Sequence, residues 1–169
     1  MNNNIISLDD IDAIVFDFDG VLTNNLVHID QNGKETVSCN RSDGLAFDVL
    51  LKLEIPTFIL STEKNPVVTA RANKLMVSVL QGKNNKLQSL VELANLNNYK
   101  LERILYVGND LNDYRVMQRC GYSVCPADSH PIIKRDATII LNNNGGDGVA
   151  RELLEDVLHL DFIKILYPE

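Results

Sequence analysis

Asp17 and Asp19 stand two residues apart where an apolar run, residues 13–18, gives way to Gly20. In an extended chain, side chains two apart point the same way, so both carboxylates can face one space. A third acid from the segment Gly108-Asn109-Asp110-Leu111-Asn112-Asp113 joins them if the fold brings both segments to one rim. Carboxylates gathered like this repel one another unless a hard cation lies between them, and Mg²⁺ prefers a few oxygen ligands plus water and phosphate. A carboxylate with a free oxygen beside such an ion can attack phosphorus and form an aspartyl-phosphate, splitting ester hydrolysis into two easier steps. Ser61 and Lys86 are the residues at hand to hold the transferring oxygens. Lys86 also opens a helical pattern, where a cation opposes the helix dipole, and an anionic partner explains that placement.

Singly, each of these residues has a plainer reading. Asp110 and Asp113 suit the first turn of a helix, where the dipole favours acids. Lys86 alone reads as a surface lysine, and the Asp pair alone as a solvated strand end. Their joint occurrence at four strand ends favours chemistry. Between Ser61 and Thr62, the residue ending the apolar run should reach the rim, which favours Ser61 and leaves Thr62 as a turn hydroxyl.

The elements that must position these residues alternate between strand and helix. Residues 13–18 read as a buried strand, and 26–29 with 36–39 flank Asp30-Gln31-Asn32-Gly33, a strong hairpin signal. Ala46, Val49, Leu50 and Leu53 fall at helical spacing, with Ser42 or Asp43 available as cap. Strand 55–60 precedes a helix opened by Asn65 and Pro66, and strand 77–80 precedes one carrying Leu87, Leu90, Val91 and Ala94. Strand 103–107, helix 111–120 and strands 123–125 and 137–141 follow; Gly145-Gly146-Asp147-Gly148 then opens a last helix with Val149, Leu153 and Val157 on one face. This alternation predicts an α/β fold, a doubly wound, mostly parallel sheet with a β-hairpin insertion at 24–39 and a binding crevice beyond the carboxyl ends of the strands.

Composition narrows the class further. At 169 residues with 45% hydrophobic and 23% charged, the chain suits one globular domain over residues 1–169. Sixteen Lys and Arg against 23 Asp and Glu give a net charge of −7, which repels nucleic acid, so an anionic substrate needs a local source of positive charge. Cys39, Cys120 and Cys125 are too few and too irregular for a disulfide framework and read as core thiols in a reducing compartment. Met1-Asn2-Asn3-Asn4 lacks the basic flank and apolar run of a signal peptide, and no stretch is long enough to span a membrane. The expectation is a soluble, cytoplasmic protein with neither a nucleic-acid nor a membrane partner.

The run Asp17-Phe18-Asp19-Gly20-Val21-Leu22-Thr23, with Ser61, Lys86 and the 108–113 segment, resembles the four motifs of the haloacid dehalogenase superfamily of phosphatases. Within it, the absence of a cap domain, the hairpin, Asn40-Arg41-Ser42-Asp43-Gly44, Gln81-Gly82-Lys83-Asn84-Asn85-Lys86 and the Gly145-Gly146 pair resemble the small tetrameric phosphatases of 2-keto-3-deoxy sugar acids. The resemblance covers residues 11–160 and implies a Rossmann-like core and a Mg²⁺ cofactor. It implies Asp17 as nucleophile and metal ligand, and Asp19 as general acid/base whose backbone carbonyl reaches the metal. Ser61 and Lys86 would bind the phosphoryl group, and the 109–113 segment, with Asp113, would complete the metal's surroundings. The substrate would be a small anionic sugar phosphate, as used in lipopolysaccharide or sialic acid synthesis, and the hairpin would build a homotetramer and cover a neighbour's site.

Two departures bear on detail. Asn109 stands where the family usually has Asp, so either Asn109 offers a neutral carbonyl oxygen or Asp110 takes its place. Thr62-Glu63-Lys64 replaces the Gly-Arg common in phosphatases of 3-deoxy-octulosonate 8-phosphate. Glu63, Arg71 and Lys74, with Thr62 beside them, resemble instead the selectivity set of enzymes acting on nine-carbon nonulosonate 9-phosphates, and Asp147 points the same way. Arg71 and Lys74 also fit an ordinary solvated helix face. Arg151 reads as a surface salt-bridge partner, and His28, His130 and His159 receive no chemical role.

Two other classes compete. A receiver domain phosphorylates an aspartate on a doubly wound sheet, but carries its acidic pair on the first strand and the phosphorylated Asp on a later one; here the later run ends in Ser61. A catalytically silent tetramerisation module, related to those of sugar-acid cytidylyltransferases, would lose the nucleophile or the acid. This chain keeps both, and Asn109 is the one feature favouring silence.

Overall fold

Strand β1 (Ala13–Phe16) is buried along its whole length, as a strand holding the middle of a parallel sheet must be. In the computed structural model, which describes residues 6–168, it pairs in parallel with β4 (Thr57–Leu60) on one side and β6 (Ile104–Val107) on the other. The expectation for Met1-Asn2-Asn3-Asn4 lies outside the described residues. With β5 (Ser78–Leu80), β7 (Tyr122–Cys125) and β8 (Ile139–Ile140), the sheet runs β5-β4-β1-β6-β7-β8, every pairing parallel. The chain fills one side of β1 and then crosses to the other, so the order reverses between β1 and β6 and leaves a crevice there. Asp17 follows β1 directly and Asn109 follows β6 by one glycine, so both stand at that reversal.

The pleat sorts the core into two layers. Ile14, Phe16, Leu105 and Val107 face α1 (Ser42–Lys52), α2 (Val67–Leu75), α6 (Val149–Glu152) and α7 (Phe162–Leu166). Val15, Ile104 and Tyr106 face α3 (Lys86–Asn97), α4 (Tyr114–Met117) and α5 (Pro131–Asp136). The doubly wound α/β expectation is met, and among the described residues only a hairpin, not a cap, separates β1 from α1.

Several elements differ from the sequence reading. The hairpin pairs only β2 (His28–Ile29) with β3 (Glu35–Thr36), plus one bridge between Thr23 and Cys39, because a two-stranded ribbon with no sheet beneath it keeps few ladder bonds. Helix 111–120 shrinks to α4, since the preceding turn is wrapped around the Asp113 carboxylate, which accepts the Asn109 and Asp110 amides. Helix α5 was not expected; His130 caps it through Nδ1 and Pro131 opens it. The last helix gives way to a π turn at Leu153–Val157, and α7 follows.

The cap expected for α1 is also misplaced. Ser42 directs its hydroxyl and its amide to Asn40, and the buried Asp43 reaches across to accept the Ala150 and Arg151 amides at 3.0 and 3.3 Å. Asp43 therefore caps α6, whose own N-cap residue, Gly148, has no side chain to do so. Burial pushes the Asp43 carboxyl from 3.8 up to about 6, against the Arg151 and Ala150 amides. For a carboxyl raised in this way, the favourable contribution to folding is complete below the unfolded value and is lost as pH rises through the folded one. Between pH 4 and 7, stability should shift in favour of Asp43→Asn over wild type by about 3 kcal/mol, read by urea unfolding.

Candidate active site

At the β1/β6 reversal Asp17, Asp19, Thr62, Asn109 and Asp110 line one hollow of about 270 Å³, together with Asn25, Leu111 and Asn112. Beneath it Lys86, the first residue of α3, is 3% exposed and bridges two carboxylates, Asp17 Oδ1 and Asp113 Oδ1, at 2.7 Å each. A buried ammonium at a helix start is unfavourable by solvation and by dipole alike, and these two acids resolve it. Burial works against the Lys86 charge, but Asp17 and Asp113 outweigh it and hold its pKa above the usual lysine value.

Asp113 is fully buried and saturated. Its Oδ1 accepts from Lys86 and from the Tyr106 hydroxyl at 2.8 Å, and its Oδ2 from the Asn109 amide at 2.9 Å and, more weakly, the Asp110 amide at 3.4 Å. Two carboxylates thus share one ammonium. Burial and the Asp113 charge push Asp17 up to about 8, against the pull of Lys86. Asp19 is also raised, by its half-burial and then by Glu63.

The donor set in the hollow fits a small hard cation. The Asn109 side-chain oxygen is buried and has no partner, an arrangement that is costly unless something positive completes it. Its amide nitrogen packs against Gly20: a Cβ there would lie 1.9 Å from Nδ2, and Gly20 itself has φ +78°. Asp110, by contrast, is exposed and accepts from the Leu111 amide. Among the described residues no three of His, Cys, Asp and Glu converge on one point, so a cation here would draw on an amide oxygen, backbone and water besides carboxylate.

The remaining expected residues divide. Ser61 is buried at the end of β4, and its Oγ accepts the Glu63 amide at 3.0 Å, while Thr62 takes the lining position. The Glu63 carboxylate turns back on the Lys64 and Asn65 amides. Arg71 and Lys74 line a different hollow with Arg41 and Asp48, and Arg71 donates to the Asn40 carbonyl. Arg151 pairs with Glu155 and lies over the Phe162 ring. Asn112, within the expected 109–113 segment, does line the hollow, whereas sequence reasoning missed Tyr106 and Asn25. A phenol in an otherwise aliphatic strand was the available signal for Tyr106. It also missed that Gly145 abuts the loop that follows Asp17: a Cβ there would lie 2.2 Å from the Gly20 carbonyl oxygen, and the neighbouring Gly146 amide donates to the Val21 carbonyl.

Comparisons with known proteins point to one family. The haloacid dehalogenase-like hydrolase family matches residues 54–153. The chain is 33% identical over 155 residues to the 3-deoxy-D-manno-octulosonate 8-phosphate phosphatase KdsC of Escherichia coli (strain K12), covering 91% of this chain and 82% of that one. A solved structure from Streptomyces avermitilis MA-4680, described as a HAD family hydrolase, matches with TM-score 0.90 at 40% identity, covering 94% and 91% of the two chains. The Moraxella catarrhalis 3-deoxy-D-manno-octulosonate 8-phosphate phosphatase, solved with magnesium ion, phosphate ion and KDO, matches with TM-score 0.85 at 26% identity, covering 90% and 88%.

Proposed function

The chain belongs to the haloacid dehalogenase-like hydrolases, and from that premise we propose that it is a Mg²⁺-dependent phosphatase of a 2-keto-3-deoxy sugar acid phosphate. The observation carrying this reading is the buried Lys86 bridge between Asp17 and Asp113 beside a hollow lined by Asp19 and Asn109. The Asp17 side chain, the Asp19 backbone carbonyl and Asn109 Oδ1 would hold the ion, with Asp110 as the alternative ligand. When bound, it supplies positive charge that keeps Asp17 ionised and offsets the charge of the phosphoryl oxygens.

In the first step a free Asp17 oxygen attacks phosphorus, the bond from phosphorus to the ester oxygen breaks, and Asp19 gives its proton to the departing alkoxide. In the second, Asp19 takes a proton from water, the water oxygen attacks the aspartyl-phosphate, and Asp17 is released with inorganic phosphate. Lys86 has three ammonium protons; two point to Asp17 and Asp113, and the third is available to a phosphoryl oxygen. The Ser61 hydroxyl accepts the Glu63 amide and keeps its own proton for a second phosphoryl oxygen.

The buried, unpartnered oxygen of Asn109 favours it over Asp110 as ligand. Asn109→Ala should raise the Mg²⁺ concentration for half-maximal activity by about tenfold or more, and Asp110→Ala by less than about threefold, in a metal titration of the initial rate.

The relatives named for 3-deoxy-D-manno-octulosonate 8-phosphate support the eight-carbon ester as substrate. The nine-carbon alternative rests on Glu63, Arg71 and Lys74; Glu63 serves its own turn, and the other two line a separate hollow. The deciding experiment compares kcat/KM for both sugar acid phosphates and for p-nitrophenyl phosphate, with and without Mg²⁺. The eight-carbon ester should be preferred by about tenfold or more over either competitor. Phosphate release from none of them at any Mg²⁺ concentration would favour the silent module instead.

The rest of the reading concerns assembly and location. One domain over the chain carries the site, and the hairpin, with Leu26, Val27 and Ile29 each at least half exposed, offers an apolar face for a homotetramer. Three free thiols suit a reducing cytoplasm, and among the described residues no helix is long and apolar enough to cross a membrane.

A further inference from the structure

We propose that Tyr106 is a positioning residue for phosphoryl transfer, acting through Asp113 to keep the Lys86 ammonium shared between Asp113 and Asp17. The inference rests on the phosphatase reading above and adds a residue to it. Tyr106 is fully buried on β6, among aliphatic neighbours such as Val15, Ile104 and Leu90, where phenylalanine would fill the same volume. A hydroxyl in such a place is unfavourable unless it is bonded. Its partner is Asp113 Oδ1 at 2.8 Å, the same oxygen that accepts Lys86 Nζ at 2.7 Å. Burial and the neighbouring carboxylates hold the phenol well above its usual pKa, so it stays a donor.

The consequence lies in how one oxygen divides its negative charge. With Tyr106 and Lys86 on Oδ1 and two amides on Oδ2, every acceptor direction of Asp113 is taken and its carboxylate cannot turn. The phenol also draws off part of the attraction Oδ1 exerts on the ammonium. Without it, Asp113 turns more of its charge on Lys86 and draws the ammonium from Asp17 toward itself, away from the position an incoming phosphoryl oxygen meets. A hydroxyl that merely satisfied itself in the core would leave Lys86 where it is.

Tyr106→Phe removes one oxygen and preserves the packing, so the folded protein is available for measurement. With p-nitrophenyl phosphate, kcat should fall by about tenfold, and inorganic phosphate should bind at least about threefold more weakly by calorimetry in Mg²⁺. The discriminating readout is the same substitution made in an Asp113→Asn background, where adding Tyr106→Phe should change phosphate affinity by less than about 1.5-fold. Phosphate binding reads the position of Lys86 without turnover, so the comparison holds even where the Asp113 variant is inactive. A Tyr106→Phe enzyme with wild-type kcat and phosphate affinity overturns the proposal, as does an equal loss of affinity in both backgrounds. Wild-type protein that hydrolyses no phosphate ester would instead overturn the phosphatase reading itself.

Discussion

Asp17→Asn should lower kcat by at least about 10⁴-fold while the protein stays folded. An amide in place of the carboxylate removes the oxygen that would attack phosphorus but keeps the shape, and Lys86 retains its bond to Asp113 at 2.7 Å. Charge arithmetic makes the structural half of this outcome specific. The wild-type protein buries two carboxylates against one ammonium, and burial with the Asp113 charge already pushes Asp17 up to about 8. Removing that charge leaves one matched pair, so without added metal the variant should unfold at an equal or higher urea concentration near pH 8. Single-turnover assays with the sugar acid phosphate and urea titrations of the same preparation check both halves. An Asp17→Asn enzyme that turns over at near wild-type rate would remove Asp17 from the chemistry.

Lys86→Met should have the largest effect on stability. The methionine fills the space but leaves Asp17 and Asp113 facing each other below the surface with no cation between them, where unpaired buried charge costs about 3–5 kcal/mol. Activity should fall by about 10³-fold or more, because the group that would hold a phosphoryl oxygen is gone. The pH dependence has a definite sign. The folded pKa of Asp17 already lies above its unfolded value of 3.8, and removing Lys86 raises it further, so the deficit is greatest at high pH and shrinks as pH falls and a carboxyl takes up a proton. Urea unfolding of wild type and variant near pH 5 and near pH 8 reads this directly. Adding Asp17→Asn to Lys86→Met should restore much of the lost stability, a non-additivity that a simple packing defect would not produce.

How far the chain could be read in advance follows from the range over which its interactions act. Asp17, Lys86 and Asn109 were legible because each stands at or just beyond the carboxyl end of a short apolar run, and a parallel sheet brings such ends together whatever the details between them. Asp43 was misread because capping rules look two or three residues ahead, whereas its actual partners, Ala150 and Arg151, are 107 and 108 residues away. Helices α5 and α7 span only six and five residues, too few for a 3.6-residue period to declare itself. Tyr106 lies inside a short apolar run, a pattern that suits its ring and says nothing of its hydroxyl. The choice between Asn109 and Asp110 could not be made from residue type, because it depends on which of two neighbouring side chains the turn buries.

The contact between Gly145 and the Gly20 carbonyl ties the loop carrying Asp17 to a segment that the ribosome adds long afterwards. A nascent chain already holding Asp17, Lys86 and Asp113 still lacks the buttress against the loop after Asp17. Messages cut short before that point should therefore yield inert fragments and not loosely selective esterases.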